Sequence, residues 1–556
     1  MNRKVRIGLL VDSHTVHHWA YAMLERIMED GFAEISLVIT NQSQLPPTKG
    51  IVGKLKDNYG QLLYLAWLKI EGALYRPIND PFAQKDLRQL LPDVPELPVE
   101  PRQKKYSDYF SRDDTEQIAS YELDVLIRLG FRILRGDILH CARLGVWSHH
   151  HGDNDCNRGG PAGLWEVLEG WPETGSILQV LTEDLDGGEI LYRSYAQTDL
   201  WSLSRNRANF FWKTLSFIPR KIAELHRFGE EEFKRKLHEA NLHPTFYSSK
   251  LYKVPRSLEL SRLLIAQLWR YAVAKTRSLF FFDQWILLYD LKKKPGMSTS
   301  FWRFKKILPP KDRIWADPFA VYRDGQYYVF IEEMPLASNR GHLSYLTIDE
   351  KGHWTQPVQI ISEPYHLSYP FIFIHKDIHY LVPESVENRT IDLYKCVDFP
   401  EKWQRVDTLI NDVAAVDSTL HYHHGRWWLF ANIRENEGAS TLDELFLFSS
   451  EDLIKGTWRS HPQNPIVSDA KSARPAGKIF QHKGKLYRPS QDNSGIYGSG
   501  MCINHITLLT ESEYNEVCVS EIKPDWEQKM IGVHTLNSCR HLTVSDGLLR
   551  RSKHFG

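Results

Sequence analysis

No charge of either sign prevails in this chain: 69 Lys and Arg residues face 69 Asp and Glu residues in a length of 556. A balanced surface sets up no long-range field, so nothing in the net charge points to nucleic acid or a membrane surface. Cysteine is scarce. The six residues Cys141, Cys156, Cys396, Cys502, Cys518 and Cys539 form no CxxC pair, which argues against a disulfide framework or a zinc knuckle. Long apolar runs are missing as well. The start, MNRKVRIGLLVDS, is too poor in apolar residues for a secretory leader. The stretch from Leu279 to Leu288 is broken by Asp283 and too short to cross a bilayer. A cytoplasmic chain with no membrane span is therefore expected, its oligomeric state left open. P-loop and complete GxGxxG signatures are also lacking, so no nucleotide-phosphate motif competes for the functional reading.

What is present is length and aromatic content. A chain of 556 residues exceeds one ordinary core and predicts two or three domains. Aromatic residues make up 12%, with 17 Trp and 25 Tyr, a composition met in β-rich folds and in proteins that handle sugars.

Residues 1–200 predict an α/β domain. Lys4–Val11 (KVRIGLLV) reads as a buried strand, His17–Met28 as a helix, and Ile35–Thr40 and Asp124–Leu129 as further buried strands. Such alternation predicts a mostly parallel, Rossmann-like sheet with ligands at the strand ends. Residues 43–118, rich in proline and charge, fit no element clearly. The informative part is Asp124–Leu191, which contains DVLIRLGFRIL, ARLGVWSHHHGDNDCNRGG and ETGSILQVLTEDLDGGEIL.

In these segments the chain resembles the folate-dependent formyltransferases, the family of the glycinamide ribonucleotide, methionyl-tRNA and sugar-nucleotide enzymes. Gly145, His150, Arg158 and Gly159 match that family's GxxNxHxSLLPxxRG segment, and Thr174, Gly175, Leu185, Asp186 and Gly188 match its TG…LDxG segment. The resemblance implies formyl transfer from 10-formyltetrahydrofolate to an amine, through a tetrahedral oxyanion. His150 would stabilise the oxyanion and Asp186 would orient the imidazole and move protons. The family's Asn is replaced here by Ser148, whose hydroxyl gives a single donor, and Asn154 is the candidate to restore the amide. The resemblance also places the folate between the loop Arg132-Ile133-Leu134 and the acidic loop Thr182-Glu183-Asp184. The triplet His149-His150-His151 invites a metal reading, but alternate strand residues face opposite ways, and no metal is expected.

Residues 201–276 read as a helical connector with apolar residues three and four apart, the pattern expected of a partly buried helix rather than of one lying on a membrane surface. Residues 277–556 read as all-β, with a plan repeated in DPFAVYRDGQYYVFIEE, YPFIFIHKDIHYLVPES, DSTLHYHHGRWWLFANI and RPAGKIFQHKGKLYRPSQD. Turns at Gly325, Asp377, Gly425 and Gly484 recur at intervals of about fifty residues, a blade period. A five-bladed β-propeller is expected, closed by strands near Trp285–Leu288 and within Ile531–Leu549; four blades is the alternative. Asp317, Tyr369, Asp417 and Arg474 begin the repeats and are expected to ring a central funnel. Glu332, Glu384, Asn432 and Gln491 are expected just after the second strands, and Trp315 beside Tyr369. Such a ring suits a hydroxylated sugar. WADPF…DGxYYxFxEE resembles the propellers of certain glycoside hydrolases and the N-terminal region of plant glucosamine inositolphosphorylceramide transferases. Hydrolysis would draw two carboxylates from Asp317, Asp417 and Glu384. Carbohydrate binding and a purely structural role are the other readings. Taken together, the halves imply formylation of an amino sugar or its nucleotide-linked form; the alternative is a degenerate transferase domain on a sugar-binding propeller.

Overall fold

The computed structural model describes residues 3–43, 59–184, 187–243 and 246–553. The chain divides into two compact units, one of residues 1–270 with 436–439, the other of residues 271–435 with 440–556.

The first unit is built on a mixed sheet of β1 (Val5–Val11), β2 (Ala33–Asn41), β3 (Glu96–Val99), β4 (Val125–Arg128), β5 (Val146–His150), β6 (Glu173–Val180) and β7 (Glu189–Gln197), in the order β7-β6-β5-β4-β1-β2-β3. The strands from β5 to β3 run parallel, and β6 and β7 are antiparallel additions. The sequence of β1, VRIGLLV, is almost wholly apolar because both sheet faces are covered. On one face Ile7, Leu9 and Trp147 pack against α1 (His18–Asp30), α6 (Phe217–Phe228) and Phe233 of α7 (Glu230–Ala240). On the other, Leu10, Leu126 and Val146 meet Ile118 of α3 (Arg112–Ala119). The predicted strands and first helix match these elements to within a few residues. The unassigned stretch supplies α2 (Leu62–Leu74), β3 and α3. Further helices are α4 (Leu164–Glu169), α5 (Leu203–Thr214) and α8 (Ser257–Phe280). Phe217, Ile222 and Leu225 of the expected connector lie in the core of this unit.

The second unit is β-rich, with several antiparallel sheets. Four have four strands each and begin with the hairpins Arg313–Arg323/Gln326–Pro335, Ser368–His375/Ile378–Glu384, Ala415–His423/Arg426–Ile433 and Phe480–His482/Lys485–Asp492. Their turns follow one rule. Both central residues have positive φ: Asp324 50° and Gly325 82°, Lys376 48° and Asp377 61°, His424 49° and Gly425 79°, Lys483 48° and Gly484 78°. These signs define the turn that matches strand twist, which explains the Asp, Gly and similar residues at the repeat. A further sheet joins the two ends of the unit, with Phe281–Leu291 pairing Leu542–Ser552 along its whole length.

The repeat is less regular than its sequence suggests. Asp317, Tyr369 and Asp417 sit at bulges of the first strands, with φ of 52°, 45° and 51°. In the fourth sheet the positive φ belongs to Gly477 at 129°, and Arg474 lies before the strand in a loop. Arg474 is therefore not the register equivalent of the other three. Glu332, Glu384, Asn432 and Gln491 lie within the second strands, not after them.

Candidate functional site

In the first unit the sequence-predicted residues gather at the C-terminal ends of β4 and β5, where parallel sheets bind ligands. A cavity of about 140 Å³ is lined by Arg128, Ile133, Leu134, Arg135, Ser148, His150, Gln179, Leu181, Thr182, Asp184 and Gly188, and His149 borders it although its ring packs against Trp19. Strand alternation puts Ser148 and His150 on the cavity side. His149 and His151 point the other way, stacked 5.8 Å apart against Trp19, and both bond Thr214. Burial lowers the His149 pKa to about 4, against a weaker opposing bond to the Thr214 carbonyl, and takes His151 well below the ordinary value. These two are neutral packing residues. His150 is half-buried, and its Nε2 lies 3.2 Å from the Asn157 carbonyl oxygen. A Cβ on Gly152 would stand 2.8 Å from that Nε2 and 3.1 Å from the Asn157 carbonyl oxygen, so a side chain at 152 would press on the imidazole.

Ser148 has a partner that sequence reasoning missed. Arg128, the last residue of β4, donates from Nη1 to Ser148 Oγ at 3.3 Å. The same guanidinium holds the Phe131 and Arg132 carbonyls at 2.8 and 3.0 Å, fixing the loop that forms one wall. That loop is pressed tight. A Cβ on Gly130 would come within 2.4 Å of the Asp12 nitrogen, and Phe131 has φ 62°, a costly conformation for an aromatic residue. The signal for Arg128 was a charge inside the apolar run DVLIRL.

Not every predicted residue reaches the cavity. Arg132 turns away, donating to Asp108 at 2.7 and 2.9 Å, so the wall is Ile133, Leu134 and Arg135. Asn154 is buried and donates to Gln179 Oε1 at 3.1 Å; Gln179, not Asn154, lines the cavity. Thr182 and Asp184 line the opposite wall, while Glu183 ties the walls together through Gly136 N at 2.7 Å and Arg135 at 3.3 Å. Asp186 lies outside the described residues.

The second unit holds a buried polar ring. Asp317, Tyr369, Glu384, Asp417 and Arg474 are all at most 8% exposed. Asp417 Oδ2 accepts from Arg474 Nε and from Gln491 Nε2, both at 2.6 Å, while the Asp417 N–H donates to Glu384 at 3.3 Å. The Tyr369 hydroxyl meets Thr419 at 2.8 Å and accepts from Gly477 N at 2.8 Å. Asp317 accepts from Tyr369 N at 3.2 Å and Thr535 Oγ1 at 2.9 Å. The contacts among Asp317, Tyr369, Glu384, Asp417, Thr419 and Gln491 tie one sheet to another, while Arg474, Gly477 and Thr535 reach the ring from loops. Burial and the Asp417 charge push the Glu384 carboxyl well up, against Arg474. Trp315 is core-packed, 1% exposed, its Nε1 donating to Glu333 at 3.2 Å, and it offers no ring face.

Two members of the ring were invisible in the repeats. His534 lies 2.7 Å from Asp546 and 3.5 Å from Asp317, and stacks on Trp285 at 4.0 Å. Asp546 also accepts from the backbone N–H of Asp317, His534 and Thr535 at 2.9, 3.0 and 3.0 Å. The signal for Asp546 was an acid inside the run HLTVSDGLL. Although burial alone opposes the charge, Asp546 and Asp317 raise His534 to about 9; burial, against His534, raises Asp317 to about 7. The donor atoms of Asp317, His534 and Asp546 lie within 4.8 Å of one another, close enough for a metal ion. The His534 imidazolium supplies positive charge between the two carboxylates.

The fold thus joins an α/β unit with an open cavity at its parallel strand ends to a β-rich unit with a closed polar ring. The family model for the N-terminal region of glucosamine inositolphosphorylceramide transferase 1 matches residues 309–553. The rice (Oryza sativa subsp. japonica) protein of that name is 35% identical over 208 residues, 37% of this chain and 28% of the relative. A methionyl-tRNA formyltransferase of Synechococcus sp. (strain WH7803) is 36% identical over 80 residues, 14% of this chain and 24% of the relative. Among solved structures, the family 117 glycoside hydrolase Zg3597 of Zobellia galactanivorans aligns at a TM-score of 0.32 and 14% identity, over 50% of this chain and 92% of that one. The chain spans about a quarter of the length of the curated relatives it matches.

Proposed function

We propose that the chain is a transferase whose first unit moves a formyl group from 10-formyltetrahydrofolate to the amine of an amino sugar or sugar nucleotide. The observation that carries this reading is the cavity that unites Ser148 and His150 with Ile133, Leu134, Thr182 and Asp184 at the ends of β4 and β5. The rice relative's name supplies the acceptor class, since glucosamine is an amino sugar.

The residues fit the donor in part. A cavity of about 140 Å³ is below the ~300–1,000 Å³ that encloses a whole drug-sized ligand. A folate would seat its ring head against the Ile133–Arg135 backbone and leave its tail outside. 10-Formyltetrahydrofolate supplies the formyl group. The acceptor amine would displace the folate nitrogen from the formyl carbon, and Asp186, as the family resemblance implies, would take the amine proton. His150 stabilises the oxyanion from the edge of β5, and the Ser148 hydroxyl, backed by the Arg128 guanidinium, takes the place of the family's amide.

We read the second unit as a five-bladed propeller, its fifth blade made by the two end strands, and as the sugar-recognition part of the molecule. Residues 1–200, 201–276 and 277–556 are its proposed transferase, helical and propeller segments. Incubation of the full chain with 10-formyltetrahydrofolate and a panel of amino-sugar nucleotides should add a formyl mass to one acceptor, and His150→Ala should abolish the gain. If no acceptor gains mass, and folate binding is also absent, the reading fails.

A second reading is favoured by Ser148 and by Asn154, whose amide is held by Gln179 away from the cavity. In it the first unit is a degenerate relic and the second does the work on sugars. A sugar ligand that binds with no measurable folate affinity would select this alternative.

A further inference from the structure

Two helices of the first unit are apolar on their outer faces as well as their inner ones. In α2 (LLYLAWLKIEGAL), Tyr64, Trp67 and Leu68 turn inward to a cluster with Leu164 and Val167. Its outer face carries Leu62, Leu65, Ile70 and Leu74, exposed by 36, 41, 60 and 69%, around the single exposed charge of Lys69. In α8, Leu260, Leu263 and Leu264 join the same inner cluster, while Leu258, Ile265, Leu268 and Trp269 are exposed by 78, 65, 66 and 70%. The helices start side by side, with Ser257 Oγ donating to the Gly60 carbonyl at 3.0 Å. An ordinary surface helix hides one stripe and wets the other. Clustered exposure of this kind marks a contact surface.

Charge decides the occupant. Lys69, Arg256 and Arg262 are exposed beside the apolar residues, and none is paired with a carboxylate among the described residues. Glu259 in the first turn of α8 is already offset by Lys250 at 3.8 Å. In a twofold contact between copies, such cations are brought toward their own kind. An anionic lipid surface neutralises them, while the leucines, isoleucines and Trp269 enter the acyl boundary and the lysine stem snorkels. No described helix is long and apolar enough to cross a membrane, so this face would lie on one. The zero net charge of the whole chain averages this local asymmetry away.

We propose that the outer faces of α2 and of α8 up to Trp269 form a docking surface for an anionic lipid bilayer. The inference is independent of the formyl-transfer reading. Flotation of the full chain should be measured with phosphatidylcholine vesicles, alone and with phosphatidylserine. Co-flotation is expected with the serine-containing vesicles, reduced about tenfold or more by Ile265→Asp with Trp269→Asp. Lys69→Glu with Arg262→Glu should remove the preference for anionic vesicles by a similar factor. All four sites are solvent-exposed, so an unchanged Tm will show that folding is intact. Absence of co-flotation, or Asp variants that float as well as the parent chain, overturns the proposal. So does a dimer, seen by light scattering, that these same substitutions dissolve without any vesicle binding.

Discussion

The two polar centres of this protein are built on opposite principles. In the first unit, a half-buried His150 and a buried Ser148, the latter backed by the Arg128 guanidinium, line a cavity. In the second, the carboxylates of Asp317, Glu384 and Asp417 are enclosed and met by His534, Arg474 and backbone N–H groups. The first lines a cavity that a ligand can enter; the second commits its groups to the fold. Enclosed charge is also brittle, because removing one partner strands the others in a medium that cannot solvate them.

That contrast predicts where function and stability separate. The largest effect should come from His150→Ala, which on the proposed chemistry slows formyl transfer by about 10²–10⁴-fold with little change in Tm. Comparable loss of Tm and activity would merge the two centres into one structural role. Next is Asp546→Ala, which leaves His534 and three backbone N–H groups without their acceptor. Chemical denaturation should show a loss of about 3–5 kcal/mol, while folate binding in the first unit stays intact. A loss below 1 kcal/mol would mean the ring is not the tie between sheets.

A third effect is the pH dependence of the second unit. Asp317 and His534 are both raised, to about 7 and about 9. The folded state therefore holds protons that the unfolded chain releases, and stability is lost as pH rises. The Asp317 share is complete below about pH 4 and fades through 7; the His534 share is complete below about 6.5 and fades through 9. Protection of the amides along Leu542–Ser552, taken relative to the base-catalysed exchange of an open chain, should fall from pH 6.5 to 9.5, and His534→Gln should flatten that fall. A flat profile in the parent chain contradicts the ion-paired ring. The smallest effect is Tyr369→Phe, which removes the hydroxyl shared by Thr419 and Gly477 N. It should cost about 1–2 kcal/mol, read by the same denaturation.

Strand and helix periodicity made the α/β sheet and the hairpins legible, because a buried parallel strand and a two-residue turn each impose their own residue types. The glycines and aspartates at the turns announced the repeat directly. Side-chain direction was not legible. Arg132 and Asn154 sit in the right motif yet are captured by Asp108 and Gln179, residues distant in sequence. Arg474 reaches the ring from a loop that no repeat register could place. Asp546 belongs to the end-joining sheet and His534 to the loop between two of its short strands, and that sheet carries no copy of the repeat that marked the other ring residues. Arg128 was visible only as a charge in an apolar run, and its bond to Ser148 required the pairing of β4 with β5.

The central claim is that the cavity beside His150 still takes a reduced folate although Ser148 stands where the family has Asn. Titration calorimetry of the full chain with 5-formyltetrahydrofolate tests it without needing the acceptor. Saturable heat that disappears in Leu134→Asp is the predicted result. No heat from the parent chain, at concentrations where a sugar ligand binds the second unit, would contradict it.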